Sequence, residues 1–347
     1  MPRRTLVTRS ARQWALAERI ANSAARLGSD VIELKSDRLP AAPRDQRAGY
    51  AWAKTTLAVV AAPPSARRLQ PIPPSADWQF HIARGCPAHC QYCYLAGSLS
   101  GPPLTRVYAN LPEILEGLRE YEGKGTVTSA STSRAHEGTT FEVSCYTDPL
   151  ALEHLTGSLS ECVRYFGSWN GDVQLRCTTK FDDVEGLTAV PHNGRTRLRF
   201  SVNAPVVARM WEGGTATLHA RLAALRRVAL AGFPVGLTIA PIMNVPGWRE
   251  GYGQLLAGAA EALRGVPGPD LTIELITHRF TPQSREVLLG WYPGTTLELD
   301  PAQRTQKRTK FGSTKYVYPA AVMRELRTWF EEATSTQLPF ARLLYWT

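Results

Sequence analysis

Short apolar runs alternate with amphipathic segments through most of the chain. The runs predict strands at residues 78–83, 141–145, 173–178, 197–203, 235–241 and 271–277. Between them, apolar residues at helical spacing predict helices at residues 111–121, 150–166, 182–187, 216–231 and 248–263. Regular alternation of strand and helix predicts an α/β protein with a parallel sheet, and six such units suggest an incomplete (β/α)6 barrel of the TIM type.

Two smaller regions flank this alternation. Before it, strands at residues 5–7, 31–34 and 56–60 and a helix at 11–27 predict a small N-terminal α/β unit. Five prolines within residues 61–75 predict an extended linker. After it, a basic stretch from Arg304 to Lys315 with a turn at Gly312 predicts a β-hairpin, and residues 323–333 a closing helix. We therefore predict domains at 1–75, 76–290 and 291–347.

Polar side chains follow the ends of the predicted barrel strands. A cysteine-rich loop follows the first strand, Cys145 ends the second and Lys180 follows the third. Ser201 and Asn203 lie at the end of the fourth. Because active sites of parallel barrels lie at the carboxyl ends of the strands, we expect these groups to converge on one end of the barrel, called the mouth below.

The cysteine-rich loop has the spacing C-x3-C-x2-C, formed by Cys86, Cys90 and Cys93. Thiolates so close in sequence are poor disulfide partners for one another, but they can share an inorganic centre such as an iron–sulfur cluster. A four-iron cluster with three protein ligands keeps one iron open for a small molecule. The alternative is a structural zinc site with His89 as fourth ligand, which would strain so short a loop.

Composition and charge restrict the partners and the compartment. The chain of 347 residues carries a net charge of +10, which favours a polyanion such as nucleic acid. No apolar run approaches the ~18 residues of a membrane helix, and no signal peptide is visible. An oxygen-sensitive cluster and unpaired cysteines indicate the reducing cytoplasm. Without a strongly apolar surface stripe, we expect a monomer.

Three redox-competent side chains, Cys145, Tyr92 and Tyr94, are expected at the mouth. Thiols and phenols can each lose a hydrogen atom and hold the resulting radical. A free cysteine is more often a small buried hydrophobe, and this is our interpretation of Cys162 and Cys177. The strand-end position of Cys145 favours a functional role instead.

The cysteine loop is similar to that of the radical S-adenosylmethionine enzymes, and the chain as a whole resembles the spore photoproduct lyase family among them. The resemblance is carried by stretches from the N-terminal unit to the C-terminus. They are residues 85–95, 141–149, 153–157, 192–197, 199–203, 240–242, 250–252, 274–276, 278–280 and 315–316.

The resemblance implies a DNA-repair reaction at the spore photoproduct, 5-thyminyl-5,6-dihydrothymine. Cys86, Cys90 and Cys93 would hold a [4Fe–4S] cluster whose open iron binds S-adenosylmethionine. The 5′-deoxyadenosyl radical would take a hydrogen from C6 of the dihydrothymine, and Cys145 would return one to the thymine methyl radical. Tyr92 and Tyr94 would relay the radical. Lys180 suits the S-adenosylmethionine carboxylate, and Thr147, Ser201 and Asn203 are further contacts.

The basic hairpin suits a protein that binds damaged DNA. A lesion within a duplex must be flipped out to reach the mouth, and basic side chains on phosphates would support this. The candidates are Arg304, Lys307, Arg308, Lys310 and Lys315. The chain departs from the family pattern at Tyr146, where we expect a small hydroxyl residue, and at Gln306 and Arg308, where we expect aromatics. These departures bear on the lesion accepted rather than on radical generation.

Two alternatives stay open on sequence alone. One is a radical S-adenosylmethionine enzyme that acts on another nucleic-acid lesion or nucleotide. The other is a non-enzymatic iron–sulfur sensor that binds DNA, which would leave Cys145, the tyrosines and Lys180 without a purpose. For the enzyme, the expected electron donor is a flavodoxin or ferredoxin.

Overall fold

A computed structural model of the chain describes residues 1–99, 101–308 and 312–347. These residues form two compact units that are interleaved in sequence. Unit 1 contains residues 1–87, 101–179 and 183–198, and unit 2 contains residues 88–100, 180–182 and 199–347. The predicted boundaries at residues 75 and 290 do not coincide with these limits, and the three functional domains stay a prediction.

The strands of the described residues are numbered in chain order. They are β1 (Arg4–Val7), β2 (Asp30–Glu33), β3 (Thr56–Val60), β4 (Gln70–Ile72), β5 (Ala76–Phe80), β6 (Ala83–Arg84), β7 (His89–Cys90), β8 (Thr105–Tyr108), β9 (Thr139–Val143), β10 (Val173–Thr179), β11 (Thr196–Val202), β12 (Glu212–Gly213), β13 (Val235–Ile242), β14 (Leu271–Thr277), β15 (Thr305–Arg308), β16 (Thr314–Val317) and β17 (Arg342–Trp346).

The α-helices of the same residues are numbered in the same way. They are α1 (Ala15–Arg26), α2 (Gln46–Lys54), α3 (Leu95–Ser98), α4 (Leu111–Glu116), α5 (Glu153–Thr156), α6 (Ser158–Ser168), α7 (Glu185–Thr188), α8 (Pro205–Trp211), α9 (Leu218–Leu230), α10 (Trp248–Leu263), α11 (Pro282–Trp291) and α12 (Ala320–Gln337). Among the described residues, no helix is both long and apolar enough to cross a membrane.

Unit 1 contains the predicted N-terminal α/β unit, whose sheet has two strands more than the three predicted for it. Its sheet has the order β2-β1-β3-β8-β6, in which β8 runs parallel to β3. Helix α1 buries Leu16, Ile20 and Ala24, the i, i+4, i+8 face expected of an amphipathic helix. Gly28 then takes a φ of +83°, the left-handed conformation that commonly follows a helix.

The proline-rich linker contains a strand as well as extended chain. Residues 70–72 form β4, which pairs antiparallel with β5. The same sheet continues in unit 1 through β9 and β10, both parallel to their neighbours. The extended chain predicted for residues 61–75 thus includes a strand that pairs in a sheet. Pro71 is tolerated in β4 because this strand lies at a sheet edge, where a residue without an N–H is tolerated.

Unit 2 repeats the strand–helix alternation around a second set of parallel strands. Strand β13 pairs with β14, and β14 pairs with β17, both parallel. Strand β11 belongs to unit 1 up to Leu198 and to unit 2 from Arg199. Strands β15 and β16 form the predicted antiparallel hairpin, and α12 is the closing helix, longer at both ends than predicted.

Candidate active site

Cys86, in unit 1, follows a backbone turn that only glycine can make. Gly85 has a φ of +79°, and a Cβ there would lie 2.2 Å from the carbonyl oxygen of Leu104. Its N–H donates to the carbonyl of Tyr146 at 2.8 Å. Lys54, at the end of α2, donates from Nζ to the carbonyl oxygen of Cys86 at 2.6 Å. The start of the cysteine loop is therefore fixed through its backbone.

Cys145 lies in a turn just beyond β9, two residues after the strand ends. The predicted strand continued through Cys145, but Ser144 takes a φ of +57°, which ends the extended conformation. Ser144 donates from its N–H to the carbonyl of Phe80 at 2.7 Å, and its Oγ accepts from the N–H of Ile82 at 2.9 Å. The half-buried Cys145 thiol thus sits on a defined turn at the carboxyl end of a parallel strand.

The residues after Cys145 include an unsatisfied hydroxyl and a fixed aromatic ring. Thr147 Oγ1 is buried and has no hydrogen-bond partner, which is unusual for a buried polar atom. The Tyr146 ring lies 5.1 Å from the His81 ring and 4.7 Å from the Arg84 guanidinium carbon. Burial and then Arg84 lower the pKa of His81 to about 4, so this imidazole is neutral at pH 7.

A buried carboxylate organises the part of the cysteine loop that belongs to unit 2. Strand β12 pairs antiparallel with β7, which places Glu212 opposite Cys90. The Tyr92 hydroxyl donates to Glu212 Oε1. Lys180 Nζ lies 2.9 Å from the same oxygen, and Arg221 Nη2 lies 2.6 Å from Glu212 Oε2. Glu212 therefore joins a predicted relay tyrosine to the predicted cofactor lysine.

Two opposing effects set the charge of this carboxylate. Burial raises the pKa of Glu212, but Lys180 and Arg221 lower it by more, to about 2. Burial and the adjacent Glu212 raise the pKa of Tyr92 well above its usual value. At pH 7 Glu212 is thus ionised and Tyr92 is a protonated phenol that donates to it. Tyr94, by contrast, is 56% exposed.

Glu212→Gln is expected to lower the free energy of unfolding of the apoprotein by about 3 kcal/mol, because it leaves Arg221 and Lys180 without their buried counter-charge. Urea denaturation at pH 7 measures this. The matched control is Glu261→Gln, which breaks an exposed ion pair with Arg264 and is expected to cost less than about 1 kcal/mol. Equal losses in the two variants would contradict the role of Glu212.

Ser201 and Asn203 are the predicted cofactor contacts at the end of β11. Both are buried, Ser201 within β11 and Asn203 just after it. The Asn203 amide donates to the carbonyl of Pro241 at 2.8 Å, and its Oδ1 accepts from the Tyr252 hydroxyl at 2.8 Å. These bonds occupy the Asn203 side chain in holding β11, β13 and α10 together. They argue against the cofactor contact predicted for Asn203.

The predicted DNA-binding cations fall into different environments. Lys307 and Arg308 are exposed on β15, and Lys315 is half-buried on β16. Lys310 lies outside the described residues. The Arg304 side chain is only 1% exposed, pairs with Glu298 and lies 3.8 Å over the Tyr318 ring. These contacts occupy the Arg304 guanidinium within the protein, and they argue against the phosphate contact predicted for Arg304.

The cysteine thiols have the donor chemistry that an iron–sulfur cluster requires. None of the six cysteines forms a disulfide bond. Cys162 and Cys177 are fully buried, as the interpretation as hydrophobes requires. Across the described residues, no three His, Cys, Asp or Glu side chains are gathered closely enough to hold a metal ion. The fit of Cys86, Cys90 and Cys93 to a cluster rests on their donor chemistry and spacing, and the orphaned Thr147 hydroxyl leaves an unused donor for a cofactor.

Sequence reasoning missed Glu212 and Arg221. Both look like ordinary charged residues near helix ends, and only the fold brings them to Lys180 and Tyr92. One local signal existed. Gly214 follows Glu212 by two residues and takes a φ of +68°, and a Cβ there would lie 2.9 Å from the His89 ring. A glycine pair after an acidic residue thus marked a close approach of backbone to the cysteine loop.

Comparisons with known proteins show the family to which the chain belongs. The family model described as spore photoproduct lyase matches residues 1–347. The chain is 39% identical over 303 residues to the spore photoproduct lyase of Geobacillus sp. (strain Y412MC61), covering 86% of this chain and 84% of that one. It is 39% identical over 275 residues to that of Bacillus subtilis (strain 168), covering 79% and 77%.

Solved structures agree over the full length. A spore photoproduct lyase complexed with dinucleoside spore photoproduct superposes with a TM-score of 0.91 at 34% identity, covering 100% of this chain and 99% of that one. A mutant spore photoproduct lyase with bound AdoMet and the same dinucleoside gives a TM-score of 0.90 at 33% identity, with the same coverage. These matches confirm the predicted fold class, α/β with a partial (β/α)6 TIM-type barrel.

Proposed function

Because the chain belongs to the spore photoproduct lyase family, we propose that it repairs DNA by reverting 5-thyminyl-5,6-dihydrothymine to two thymines. The observation that carries the proposal is the half-buried Cys145 thiol, which forms no disulfide, on its defined turn beyond β9. A thiol in that position can give a hydrogen atom to a carbon radical. The alternative of a non-enzymatic sensor gives this thiol no task.

The cofactors of the reaction are a [4Fe–4S] cluster and S-adenosylmethionine. Cys86, Cys90 and Cys93 would hold the cluster. When bound, these groups would supply a 5′-deoxyadenosyl radical as the acceptor for the C6 hydrogen of the dihydrothymine. Lys180 offers an ammonium group to the S-adenosylmethionine carboxylate, and the orphaned Thr147 hydroxyl offers it a hydrogen bond. The Ser201 hydroxyl is a further predicted contact.

The protein's own side chains complete the repair. Loss of the C6 hydrogen leads to cleavage of the methylene bridge and leaves one thymine with a methyl radical. The Cys145 S–H bond breaks, its hydrogen forms the C–H bond of the thymine methyl group, and a thiyl radical remains on sulfur. Tyr92 and Tyr94 then carry the radical away from Cys145. Glu212 positions Tyr92 through its hydroxyl.

Lesion access requires the damaged dinucleotide to leave the DNA stack. Flipping costs a few kcal/mol, and less for damaged bases. Exposed cations of the hairpin would offset this by binding phosphates, with affinity that falls as salt rises. For electron supply we propose a flavodoxin or ferredoxin, and we propose a monomer working in the reducing cytoplasm.

An anaerobic assay tests the proposed function. The protein is reconstituted with iron and sulfide, reduced with dithionite, and incubated with S-adenosylmethionine and dinucleoside spore photoproduct. Chromatography follows thymidine and 5′-deoxyadenosine together. We expect thymidine in excess over 5′-deoxyadenosine, because the radical is returned after each repair. Deoxyadenosine without thymidine would indicate another lesion, for which Tyr146 between His81 and Arg84 would be the place to look. Absence of both products would favour the sensor.

A further inference from the structure

The basic hairpin is part of a three-segment sheet, all of it in unit 2. Tyr316 of β16 pairs with Gln306 of β15 on one side. On its other side Tyr316 pairs antiparallel with Phe280, just beyond β14, and both N–H groups are satisfied, at 3.2 and 2.7 Å. Strand β16 is therefore central, between β15 and the segment that leaves the carboxyl end of β14.

Register divides the side chains of this sheet between two faces. Phe280, Tyr316 and Gln306 share one face, and the Phe280 and Tyr316 rings lie 5.3 Å apart. Neighbours along each strand point to the opposite face. Lys307 lies directly opposite Lys315, and Arg279 lies diagonally from Lys315. These three residues, called the cationic row below, therefore share the second face.

Without a bound anion, the positive charges of the cationic row repel one another. Like charges directly opposite each other destabilise a strand pair. Burial and then the nearby charges of Arg279 and Lys307 lower the pKa of Lys315, in keeping with the register that places all three on one face. Within the described ranges, none of the three forms an ion pair with a carboxylate, although ion pairs occur at Arg304 and at many other arginines.

Arg304 gives the row a rigid base. It stands immediately before β15 and donates from Nη1 to the carbonyl of His278 at 3.1 Å, one residue before Arg279. The neighbouring Tyr318 ring and the Glu298 carboxylate hold its guanidinium in place. The hairpin is thereby fixed to the end of β14, where barrel chemistry takes place. Like charges that are held close together by such contacts indicate a binding site for an anion.

We propose that Arg279, Lys315 and Lys307 form a binding site for the phosphodiester backbone of the DNA strand that carries the lesion. The inference rests on the proposed function and adds to it a residue, Arg279, and a face of the hairpin. Arg308 lies on the other face, with Gln306, and has a lesser part in phosphate binding. The row spans three neighbouring strands, about 10 Å at ~4.8 Å per strand, a length that suits adjacent phosphates of one strand.

The test compares variants that each lose one positive charge. Binding of a single-stranded oligonucleotide with a central spore photoproduct is measured by fluorescence anisotropy over a range of salt concentrations. Arg279→Gln is expected to weaken binding roughly fivefold and to reduce the slope of log K against log salt by about 0.7. Arg279→Lys keeps the charge and is expected to restore most of both.

The matched control is Arg264→Gln. Arg264 follows α10 and precedes the amino end of β14 in the chain, and its side chain is 77% exposed. We expect wild-type binding for this variant. If Arg279→Gln folds and binds the oligonucleotide as Arg264→Gln does, the proposed phosphate site is refuted. It is also refuted if Arg308→Gln changes the slope of log K against log salt more than Arg279→Gln does. Failure of the wild-type protein to repair the dinucleoside would instead refute the proposed function, whatever the slopes.

Discussion

Replacing Cys93 with alanine is expected to abolish both cluster assembly and lesion repair. Three thiolates are the fewest that hold four irons and still leave one iron open for S-adenosylmethionine, so two cannot keep the cluster intact. The cysteine follows Tyr92, is half-buried and forms no disulfide, so the substitution leaves little void. Iron and sulfide content after anaerobic reconstitution, together with the visible absorption of the cluster, measure the first loss. Chromatography of thymidine measures the second.

Cys162→Ala is the control for this experiment. Cys162 likewise forms no disulfide, but it lies fully buried on α6. Its replacement therefore affects packing and leaves the proposed cluster ligands in place. We expect normal iron and sulfide in this variant, with a stability loss of about 1 kcal/mol. Full iron content in Cys93→Ala, or its loss in Cys162→Ala, would show that the ligands had been misassigned.

Local signals explain which elements could be predicted from the sequence. Strands such as β13 and β14 are buried along most of their length, and the apolar residues that dominate them form runs that are visible in the sequence. Strands β4, β8 and β17 escaped prediction, since they are short or lie at an edge, and their pairing depends on partners far along the chain. The end of β9 was misplaced because nothing local predicts the left-handed Ser144.

The same distinction applies to the site. The cluster motif is local, so its three cysteines could be read from spacing alone. The contacts of Glu212 with Tyr92 and Lys180 join residues more than thirty positions apart, and no periodicity encodes them. The contacts of Arg304 were not foreseeable for the same reason. Its charge suggested a DNA contact, whereas the fold buries its guanidinium against the Tyr318 ring.

Replacing Cys145 with alanine is expected to separate radical generation from repair. Cluster assembly and cleavage of S-adenosylmethionine should persist, because Cys145 lies on a turn in unit 1 that Ser144 and Gly85 define through their backbones. Restoration of thymidine should fall by at least ~100-fold, a loss typical for removal of a side chain that transfers hydrogen. Deoxyadenosine should now exceed thymidine, since the radical is no longer passed on to the tyrosines. Both products are quantified in the same chromatogram.

Two further variants determine whether the thiol itself is responsible. Cys145→Ser keeps the size and polarity of the side chain, but its O–H bond is too strong to give a hydrogen atom to a carbon radical, so it should fail as alanine does. Tyr94→Phe, at the exposed end of the relay, should instead allow repair while raising the consumption of S-adenosylmethionine. If Cys145→Ser repaired the lesion at the wild-type rate, the hydrogen would have to come from another group, and the turn beyond β9 would lose its assigned role.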